Sequence, residues 1–288
     1  MSGNRKFLYI GLLLIGVGII VGFAGFALMG FRFKGLTQKI DIREYTDESN
    51  IEKIVVNTDI SDVSVGITDA EKIIITYGES KSIKINISVE NGTLTIKEKG
   101  SANWFDMLSF IHFGNNEFKV KILIPEKALG EISISSDTGD ISLEDINVKG
   151  NIKLDTDTGD IFIKTKEADS VSYDDINIKT DTGDVTLTDV KAANLNVKVD
   201  TGNINLTNTL VDDILKINTS TGDVKVVESD AGEIAIKTST GDIEASFLTE
   251  KVFVTSSSTG DIRVPESYQG GKCKLTTSTG DITVKYVK

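Results

Sequence analysis

A row of aspartates is the feature of this 288-residue chain that could most readily do chemistry. In the C-terminal half, an acidic or amide residue follows a glycine at nearly constant spacing, at Asp140, Asp160, Asp184, Asn203, Asp223, Asp242, Asp261 and Asp281. If the repeats stack like neighbouring strands, adjacent carboxylates lie about 5 Å apart. Their repulsion is then about 1 kcal/mol per pair even at the dielectric constant of water. The fold must offset that repulsion.

Two kinds of partner could offset the repulsion in this row. Each carboxylate could accept backbone N–H groups within its own turn, as Asp and Asn commonly do. Alternatively, calcium could bind between oxygen ligands of adjacent repeats. Asn203 is compatible with both, because its amide oxygen can fill either role. The glycine-rich loops that occur twice per coil in nonapeptide calcium solenoids are absent, so the sequence favours turn capping, with calcium as the alternative and no other cofactor.

Paired threonines form a second row beside the aspartates. They stand three residues and one residue before the glycine, at Thr156 and Thr158, Thr180 and Thr182, Thr219 and Thr221, Thr238 and Thr240, Thr277 and Thr279. Stacked Thr-x-Thr arrays form the flat face of some ice-binding solenoids. Here both threonines share the phase of the apolar columns, which predicts an inward hydroxyl ladder; outward exposure would require a bulge.

The elements that must position these rows are short strands repeated about every twenty residues. The repeat glycines are Gly139, Gly159, Gly183, Gly202, Gly222, Gly241, Gly260 and Gly280. Ile or Val follows two residues after each glycine, and apolar residues dominate the columns five and seven residues before it. The pattern predicts two short strands per unit, joined at the glycine as a hairpin that must stack on its neighbours to bury its apolar face.

The predicted fold class is therefore all-β, a β-solenoid from residue 50 to 288 with regular repeats over 130–288. The same offsets recur upstream with Ser61 or Gly92 in the glycine position, and residues 120–124 form a further predicted strand. A propeller with two repeats per blade is the alternative, since a blade needs about forty residues. A blade would require its inner and outer strands to differ, whereas all units here follow one template.

The amino terminus predicts a membrane anchor. Residues 7–31, from Phe7 to Phe31, carry no charge and are long enough to span a bilayer. A cleaved signal peptide is the alternative, but its apolar region would be unusually long. The predicted organisation is a short cytoplasmic tail over residues 1–6, a transmembrane helix over 7–31 and a juxtamembrane linker over 32–49. Gly18 and Gly22 form a small-xxx-small pair that could dimerise such helices.

The charge distribution and the cysteine content limit the partners and the covalent cross-links that the chain can have. All 43 acidic residues lie beyond residue 40, whereas the basic residues before it include Arg5, Lys6 and Arg32. So acidic a C-terminal region argues against nucleic acid as a partner. The one cysteine, Cys273, excludes an internal disulfide and occupies an inward column, so we expect it to be buried. Ser229 falls in a segment that we expect to be polar and exposed.

An aromatic insertion over residues 102–116 interrupts the predicted strands. It holds the only tryptophan and the only histidine, and its candidate partner-contact residues are Trp104, Phe105, Phe110 and Phe113. Such an insertion could cap the core or present an exposed contact loop. One His and one Cys provide no catalytic triad. Every repeat also carries nearly the same residues, which disfavours an enzyme, with a polysaccharide-acting β-helix as the remaining alternative.

The Thr-Gly-Asp-Ile/Val repeats, the N-terminal apolar segment and the aromatic insertion together resemble the bacterial "putative adhesin" domain family of unknown function. The similarity is to its LiaG-like members, which are membrane-anchored and encoded with cell-envelope stress systems. The resemblance implies a non-enzymatic, single-pass protein of the cell membrane with the solenoid outside the cytoplasm. Its expected partner is a cell-envelope component or membrane protein, and no catalytic residues follow from the family.

Overall fold

The computed structural model describes residues 40–100, 118–126, 129–166 and 172–287. The predicted tail, the transmembrane segment over 7–31 and the insertion over 102–116 lie outside the described residues. In the described residues all regular structure is β-strand. No helix in this part of the chain has the length and apolar character needed to cross a membrane.

The described residues form 22 strands, and most of them follow one another with short connections. They are β1 (Asp41–Asp47), β2 (Lys53–Thr58), β3 (Asp62–Thr68), β4 (Ile73–Glu79), β5 (Ile83–Glu90), β6 (Thr93–Gly100), β7 (Lys119–Pro125), β8 (Glu131–Thr138), β9 (Ile141–Glu144), β10 (Ile152–Thr158), β11 (Ile161–Lys164), β12 (Ser172–Thr182), β13 (Val185–Thr188), β14 (Lys191–Thr201), β15 (Ile204–Thr207), β16 (Leu210–Thr221), β17 (Val224–Lys237), β18 (Ile243–Phe247), β19 (Lys251–Thr259), β20 (Ile262–Arg263), β21 (Gly271–Thr279) and β22 (Ile282–Tyr286).

These strands pair in two ladders, here called sheet A and sheet B. Sheet B runs β5-β6-β2-β8-β10-β12-β14-β16-β17-β21-β19. Sheet A runs β1-β4-β7-β3-β9-β11-β13-β15-β17-β18-β22-β20. The long strand β17 bends from one sheet into the other. All pairs are parallel except β1–β4, β4–β7 and β5–β6.

Each glycine turn joins a strand of sheet B to a strand of sheet A, so the repeat unit is a solenoid-like rung. Around Gly159, β10 pairs with β8 and β12, whereas β11 pairs with β9 and β13. The hairpin predicted for each unit is therefore wrong, because the two strands pair with other rungs instead of with each other. Since every repeat bonds to the next through parallel ladders, the propeller alternative is also excluded.

The apolar columns stack in register and form one continuous core. Leu154 lies between Ile134 and Ile178 in sheet B, and Ile161 lies between Ile141 and Val185 in sheet A. Every one of these residues is buried. Branched aliphatic side chains suit such columns because their stiff rotamers pack well on a pleated surface. The all-β, stacked-repeat architecture predicted from the spacing is confirmed.

The upstream part follows the repeat only in part. Ser61 takes the glycine position as predicted, since Ile54 pairs with Ile132 and Val63 with Ile141. Gly92 does not, and the prediction for it is wrong. Asn91 and Gly92, with φ of 50° and 74°, form the tight turn between the antiparallel strands β5 and β6.

The spatial order of the rungs departs from chain order at both ends. At the C-terminal end β21 and β22 insert between β17/β18 and β19/β20, so the last rung in space is the second-last in sequence. At the other end β6 and β7 lie outside β2 and β3. The columns alone predict sequential stacking, and nothing in the repeat template distinguishes the two orders.

The N-terminal end of the stack is closed by antiparallel strands. β5 covers the edge of β6, while β4 and then β1 extend sheet A beyond β7. β1 lies inside the segment over residues 32–49 that the sequence analysis assigned to a linker. The buried Glu79 carboxylate holds this end together by accepting from Arg43 at 3.0 Å, Lys84 at 3.3 Å and the Ile85 N–H at 3.1 Å.

Candidate functional site: the glycine–aspartate turn row

The turn row comprises the repeat glycines together with the residue after and the three residues before each of them. Glycine is required there because adjacent rungs approach too closely for a side chain. A Cβ on Gly183 would lie 2.0 Å from the carbonyl oxygen of Gly159, and one on Gly202 would lie 2.0 Å from that of Gly183. Both glycines also have φ near +150°, a conformation that L-residues rarely adopt.

The aspartates of the row form a ladder of hydrogen bonds that runs from rung to rung. The Asp184 N–H donates to Asp160 Oδ1 at 2.7 Å, and the Asn203 N–H donates to Asp184 Oδ1 at 2.7 Å. Asn203 Oδ1 continues the ladder by accepting from the Asp223 N–H at 3.0 Å. The prediction of backbone capping is therefore correct in kind, but the N–H belongs to the next rung and not to the aspartate's own turn.

The ladder follows the spatial order of the rungs, including the exchanged pair at the C-terminal end. Asp281 N–H donates to Asp242 Oδ1 at 2.7 Å, and Asp261 N–H then donates to Asp281 Oδ1 at 2.8 Å. Within the described residues Asp261 ends the row, and Arg263 contacts its carboxylate. At the other end, burial is the first cause of the raised pKa of the Asp62 carboxyl, whose Oδ1 accepts from the Asp140 N–H.

This arrangement bears on the calcium row predicted from Asp140, Asp160, Asp184, Asp223, Asp242, Asp261 and Asp281. In every carboxylate of this row except that of Asp261, the ladder occupies one oxygen with a backbone N–H. Across the described ranges, no group of three or more His, Cys, Asp or Glu side chains is placed to hold a metal ion. Calcium at the second carboxylate oxygens stays a prediction.

The threonine row divides into a buried and an exposed column. Thr156, three residues before its glycine, is buried, and its hydroxyl donates to the Gly139 carbonyl oxygen at 3.2 Å. Thr180 donates to Gly159 O at 3.2 Å in the same way. Thr158 and Thr182, one residue before the glycine, are exposed. The inward prediction is wrong for this second column, because the backbone turns the corner before it and reverses the side-chain phase.

Two further polar columns were not recognised in the sequence. Six residues after the glycine, Asp189 and Asn208 adopt φ of 57° and 47°, and Asn208 Nδ2 donates to Asp189 Oδ1 at 2.6 Å. Eight residues before it, Asn194 Nδ2 donates to Asp175 Oδ1 at 2.9 Å. The recurrence of Asp and Asn at these offsets was the available signal, and at Asp189 and Asn208 it reflects the tolerance of both residue types for the left-handed conformation.

A buried charged cluster near the C-terminal end was also missed. The Lys251 ammonium forms an ion pair with Asp230 and donates to Ala231 O at 2.9 Å. Cys273 is buried as predicted, and burial raises the pKa of its thiol to about 12. The prediction for Ser229 is wrong: it is fully buried, and its hydroxyl accepts from the Thr209 N–H at 2.9 Å. Ser229 points inward because the backbone N–H of Thr209 at this corner needs a hydrogen-bond acceptor.

The predicted partner-contact residues Trp104, Phe105, Phe110 and Phe113 lie outside the described residues, so their role stays a prediction. The fold and the turn row together define the class of this protein: an all-β stack of parallel rungs whose repeated polar residues bond one rung to the next. The chain matches the Toastrack DUF4097 family model over residues 51–288 and belongs to that family.

Two solved structures are similar to this chain at low sequence identity, and the first of them shows the same fold. One is described as a putative lipid binding protein from Parabacteroides distasonis ATCC 8503; it is 16% identical, with a TM-score of 0.50 and coverage of 87% of this chain and 97% of that one. Another is described as a putative adhesin from Bacteroides fragilis NCTC 9343; it is 16% identical, with a TM-score of 0.44 and coverage of 87% and 98%. No curated protein matches the sequence.

Proposed function

We propose that this chain is a non-enzymatic binding or scaffolding element of the bacterial cell envelope. In this proposal residues 7–31 anchor it in the membrane as a single-pass protein, with the stack of rungs outside the cytoplasm. The observation that supports a binding role is that the polar side chains of the turn row already form hydrogen bonds within the fold. Asp160 and Asp184 bind the backbone of the next rung, and Thr156 and Thr180 bind glycine carbonyls.

The side chains that face outward from the sheets are not part of these hydrogen bonds, and they form a long surface of repeated positions that is available for binding. On sheet B, Lys153, Asn177 and Asn196 follow one another in register along successive rungs. Such a periodic surface suits many weak, identical contacts with a repetitive envelope polymer, whose summed strength far exceeds that of one contact. Catalysis needs unlike groups that converge at one point, and the rungs repeat like groups along a line.

Related structures described as adhesin or lipid-binding proteins lend support to a binding role. The predicted link to an envelope stress response comes from the family resemblance. The aromatic insertion remains the proposed specific contact, with Trp104 and Phe110 as the first residues to replace. Loss of envelope binding by a Trp104→Ala, Phe110→Ala variant that still folds would support this assignment, whereas unchanged binding would remove it.

The first test is topology, with a cysteine at an exposed position. Ser229 is unsuitable because it is buried, whereas Ser239 is exposed in the bend that follows β17. We expect Ser239→Cys to react with a membrane-impermeant maleimide in intact cells. Buried Cys273 serves as the internal control, since the wild-type chain should stay unlabelled until it is denatured. Labelling of Ser239→Cys only after lysis would place the stack in the cytoplasm and overturn the proposal.

The second test separates binding from turnover. The detergent-purified full chain would be mixed with purified cell-wall sacculi and, separately, with vesicles of anionic phospholipid, and bound protein would be measured by sedimentation. We expect saturable binding to one of these probes without release of soluble sugar fragments during prolonged incubation. Release of fragments would establish an enzyme, and absence of binding to both probes would contradict an envelope-binding role.

A further inference from the structure

The two ends of the stack differ in how their strand edges are treated. At the N-terminal end, β5 and β1 are antiparallel additions that cover the parallel rungs. At the C-terminal end, the described residues place no strand beyond β19 and β20; β19 pairs only with β21, and β20 only with β22. Among the described residues, β19 and β20 therefore form the one open parallel edge, although their rung is the second-last in the sequence.

On the sheet B side of this edge, β19 lacks the features that usually prevent strand addition, whereas β20 on the sheet A side is only two residues long and carries the exposed Arg263. Natural edge strands carry outward charges, prolines or bulges. β19 pairs with β21 without a register shift from Lys251 to Thr259. Its outward residues Val252 and Val254 are 38% and 49% exposed, and they occupy the same columns as Lys272 and Lys274 of the adjacent strand. Apolar side chains of the edge strand thus stand in columns that carry lysines on the adjacent strand.

The core also remains partly open at this edge. The Phe253 ring lies 6.4 Å from the ring of Phe247 and 6.3 Å from that of Tyr286, as the last aromatic layer of the stack. Phe253 is only half-buried, and Ile262 on β20 is 42% exposed. The equivalent residue of the preceding rung, Ile282, is fully buried. One more layer against this end would bury both side chains.

We propose that the β19 edge pairs with β19 of a second copy of this chain, antiparallel and about a two-fold axis, to give a head-to-head dimer. Addition of the opposite end of another copy would produce a filament, but the outermost strand of sheet B at that end, β5, exposes the charged residues Lys84 and Glu90, which discourage strand addition. An edge that pairs with itself closes after two copies.

The charge of β19 favours a second copy of this chain as the partner of the edge. β19 has no acidic residue, and its one charged group, Lys251, is buried and paired with Asp230. Antiparallel pairing centred on Thr255 places Val254 opposite Ser256 and Val252 opposite Ser258 of the other copy. No like charges then face each other, and Val254 of each copy lies diagonally opposite Val254 of the other copy beside the axis. Sheet B would continue from one copy into the next with its ladder intact.

The experiment measures the oligomeric state of the full chain in detergent by sedimentation velocity. We expect wild type to dimerise and Val254→Lys to dissociate at least about tenfold more readily, because each dimer then holds two like charges beside the axis. Asn196→Lys is the matched control: it places the same lysine in the same sheet B column of an interior rung, where dimerisation should be unchanged. A monomeric wild type, or a Val254→Lys variant as dimeric as wild type, would overturn the proposal.

Two further arms exclude other origins of a dimer. Replacing both Gly18 and Gly22 with leucine removes the small-xxx-small pair of the predicted anchor, and dimerisation should survive; its loss would assign the dimer to the anchor instead. Raising the salt concentration from about 50 mM to about 500 mM should strengthen the dimer, because it screens repulsion between acidic chains while the neutral edge is unaffected. Weakening by salt would contradict pairing through β19.

Discussion

Lys251 and Asp230 form a buried ion pair across an intervening strand. Lys251 begins β19 and Asp230 lies in β17, and β21 runs between these two strands in sheet B. The residue of β21 in register with Lys251 is Gly271, which has no side chain to obstruct the lysine. The ammonium also donates to Ala231 O at 2.9 Å and Thr249 Oγ1 at 2.8 Å. The pair therefore fastens the last rung to a strand two positions away.

Removal of one partner of this pair should loosen the last rung. In Lys251→Met the Asp230 carboxylate stays in the core without a counter-charge, and we expect a loss of roughly 3 kcal/mol in unfolding free energy. Faster amide hydrogen exchange in β19 than in β14 would locate the effect. The exposed Lys274→Met is the control. The double variant Asp230→Leu, Lys251→Met should regain most of the lost unfolding free energy. If Lys251→Met has the same unfolding free energy as wild type, the ion pair does not hold the last rung in place.

The aspartate ladder predicts different effects for two substitutions of one residue. Asp160→Asn keeps an oxygen that can accept the Asp184 N–H, as Asn203 does for Asp223, and should change stability by less than about 0.5 kcal/mol. Asp160→Ala removes that acceptor and should cost about 1–2 kcal/mol.

Denaturant unfolding measures both variants of Asp160. Asp157→Ala is the control, because Asp157 is an exposed aspartate on the adjacent outward column and should be nearly neutral. Equal losses for Asp160→Asn and Asp160→Ala would indicate that the negative charge matters more than the hydrogen bond. That result would revive the calcium alternative for the row, since an ion requires charge where an N–H requires only an acceptor.

The glycine column predicts a large effect from the smallest possible side chain. Alanine at Gly183 would place its Cβ 2.0 Å from the Gly159 carbonyl oxygen in a backbone conformation with φ of +147°. Because the obstacle is backbone in a hydrogen-bonded ladder, we expect Gly183→Ala to lower the unfolding free energy by at least about 3 kcal/mol.

Thermal unfolding followed by circular dichroism tests the glycine prediction. Gly66→Ala is the matched control, since its Cβ would meet nothing closer than 3.7 Å and its backbone is unstrained. The control should melt within a few degrees of wild type. If Gly183→Ala and Gly66→Ala have the same melting temperature, the rungs can move apart at little cost in free energy. The close approach of adjacent rungs would then not explain the glycine at this position.

The stacking was predictable from the sequence because it depends on positions that every repeat shares. Ile141, Ile161 and Val185 recur at one offset, and at the repeat glycines from Gly159 to Gly280 a Cβ would collide with the backbone of the adjacent rung. The exchanged order of the last rungs was not predictable. Ile262 and Ile282 satisfy the same column equally well, and the Lys251–Asp230 ion pair that accompanies the observed order is a long-range contact that the repeat pattern does not contain. The repeat pattern therefore predicts that the rungs stack, but the positions that all rungs share do not predict the spatial order in which they stack.

The row of aspartates was found from spacing, but its donors were assigned to the wrong turn. The reason is geometric: Asp160 Oδ1 lies 2.7 Å from the Asp184 N–H, which is 24 residues away in sequence and one rung away in space. Local turn chemistry, which explains isolated Asx residues, does not include a neighbour brought close by a parallel ladder. The buried Ser229 was misplaced for a related reason, since its partner Thr209 also belongs to the adjacent rung.

Two buried acids predict loss of stability at alkaline pH. Burial raises the pKa of the Cys273 thiol from 9.0 to about 12, and burial also raises the pKa of the Tyr173 phenol above its ordinary 10.0. The folded chain therefore holds these protons more tightly than the unfolded chain does. The resulting stability is complete below about pH 9 and is lost as pH rises through the folded pKa values, by up to about 1.4 kcal/mol per pH unit for each group.

Urea unfolding between pH 8 and pH 11 tests this alkaline loss. Cys273→Ala should be less stable than wild type at pH 8 because it leaves a small cavity, yet it should lose less stability on going to pH 11. Tyr173→Phe loses the hydrogen bond from Tyr173 Oη to Ile146 O at 2.8 Å, so it too should start lower and fall less steeply. Tyr268→Phe, at a tyrosine that is 88% exposed, should follow the wild-type profile. Parallel profiles for wild type, Cys273→Ala and Tyr173→Phe would show that neither proton is held by the fold.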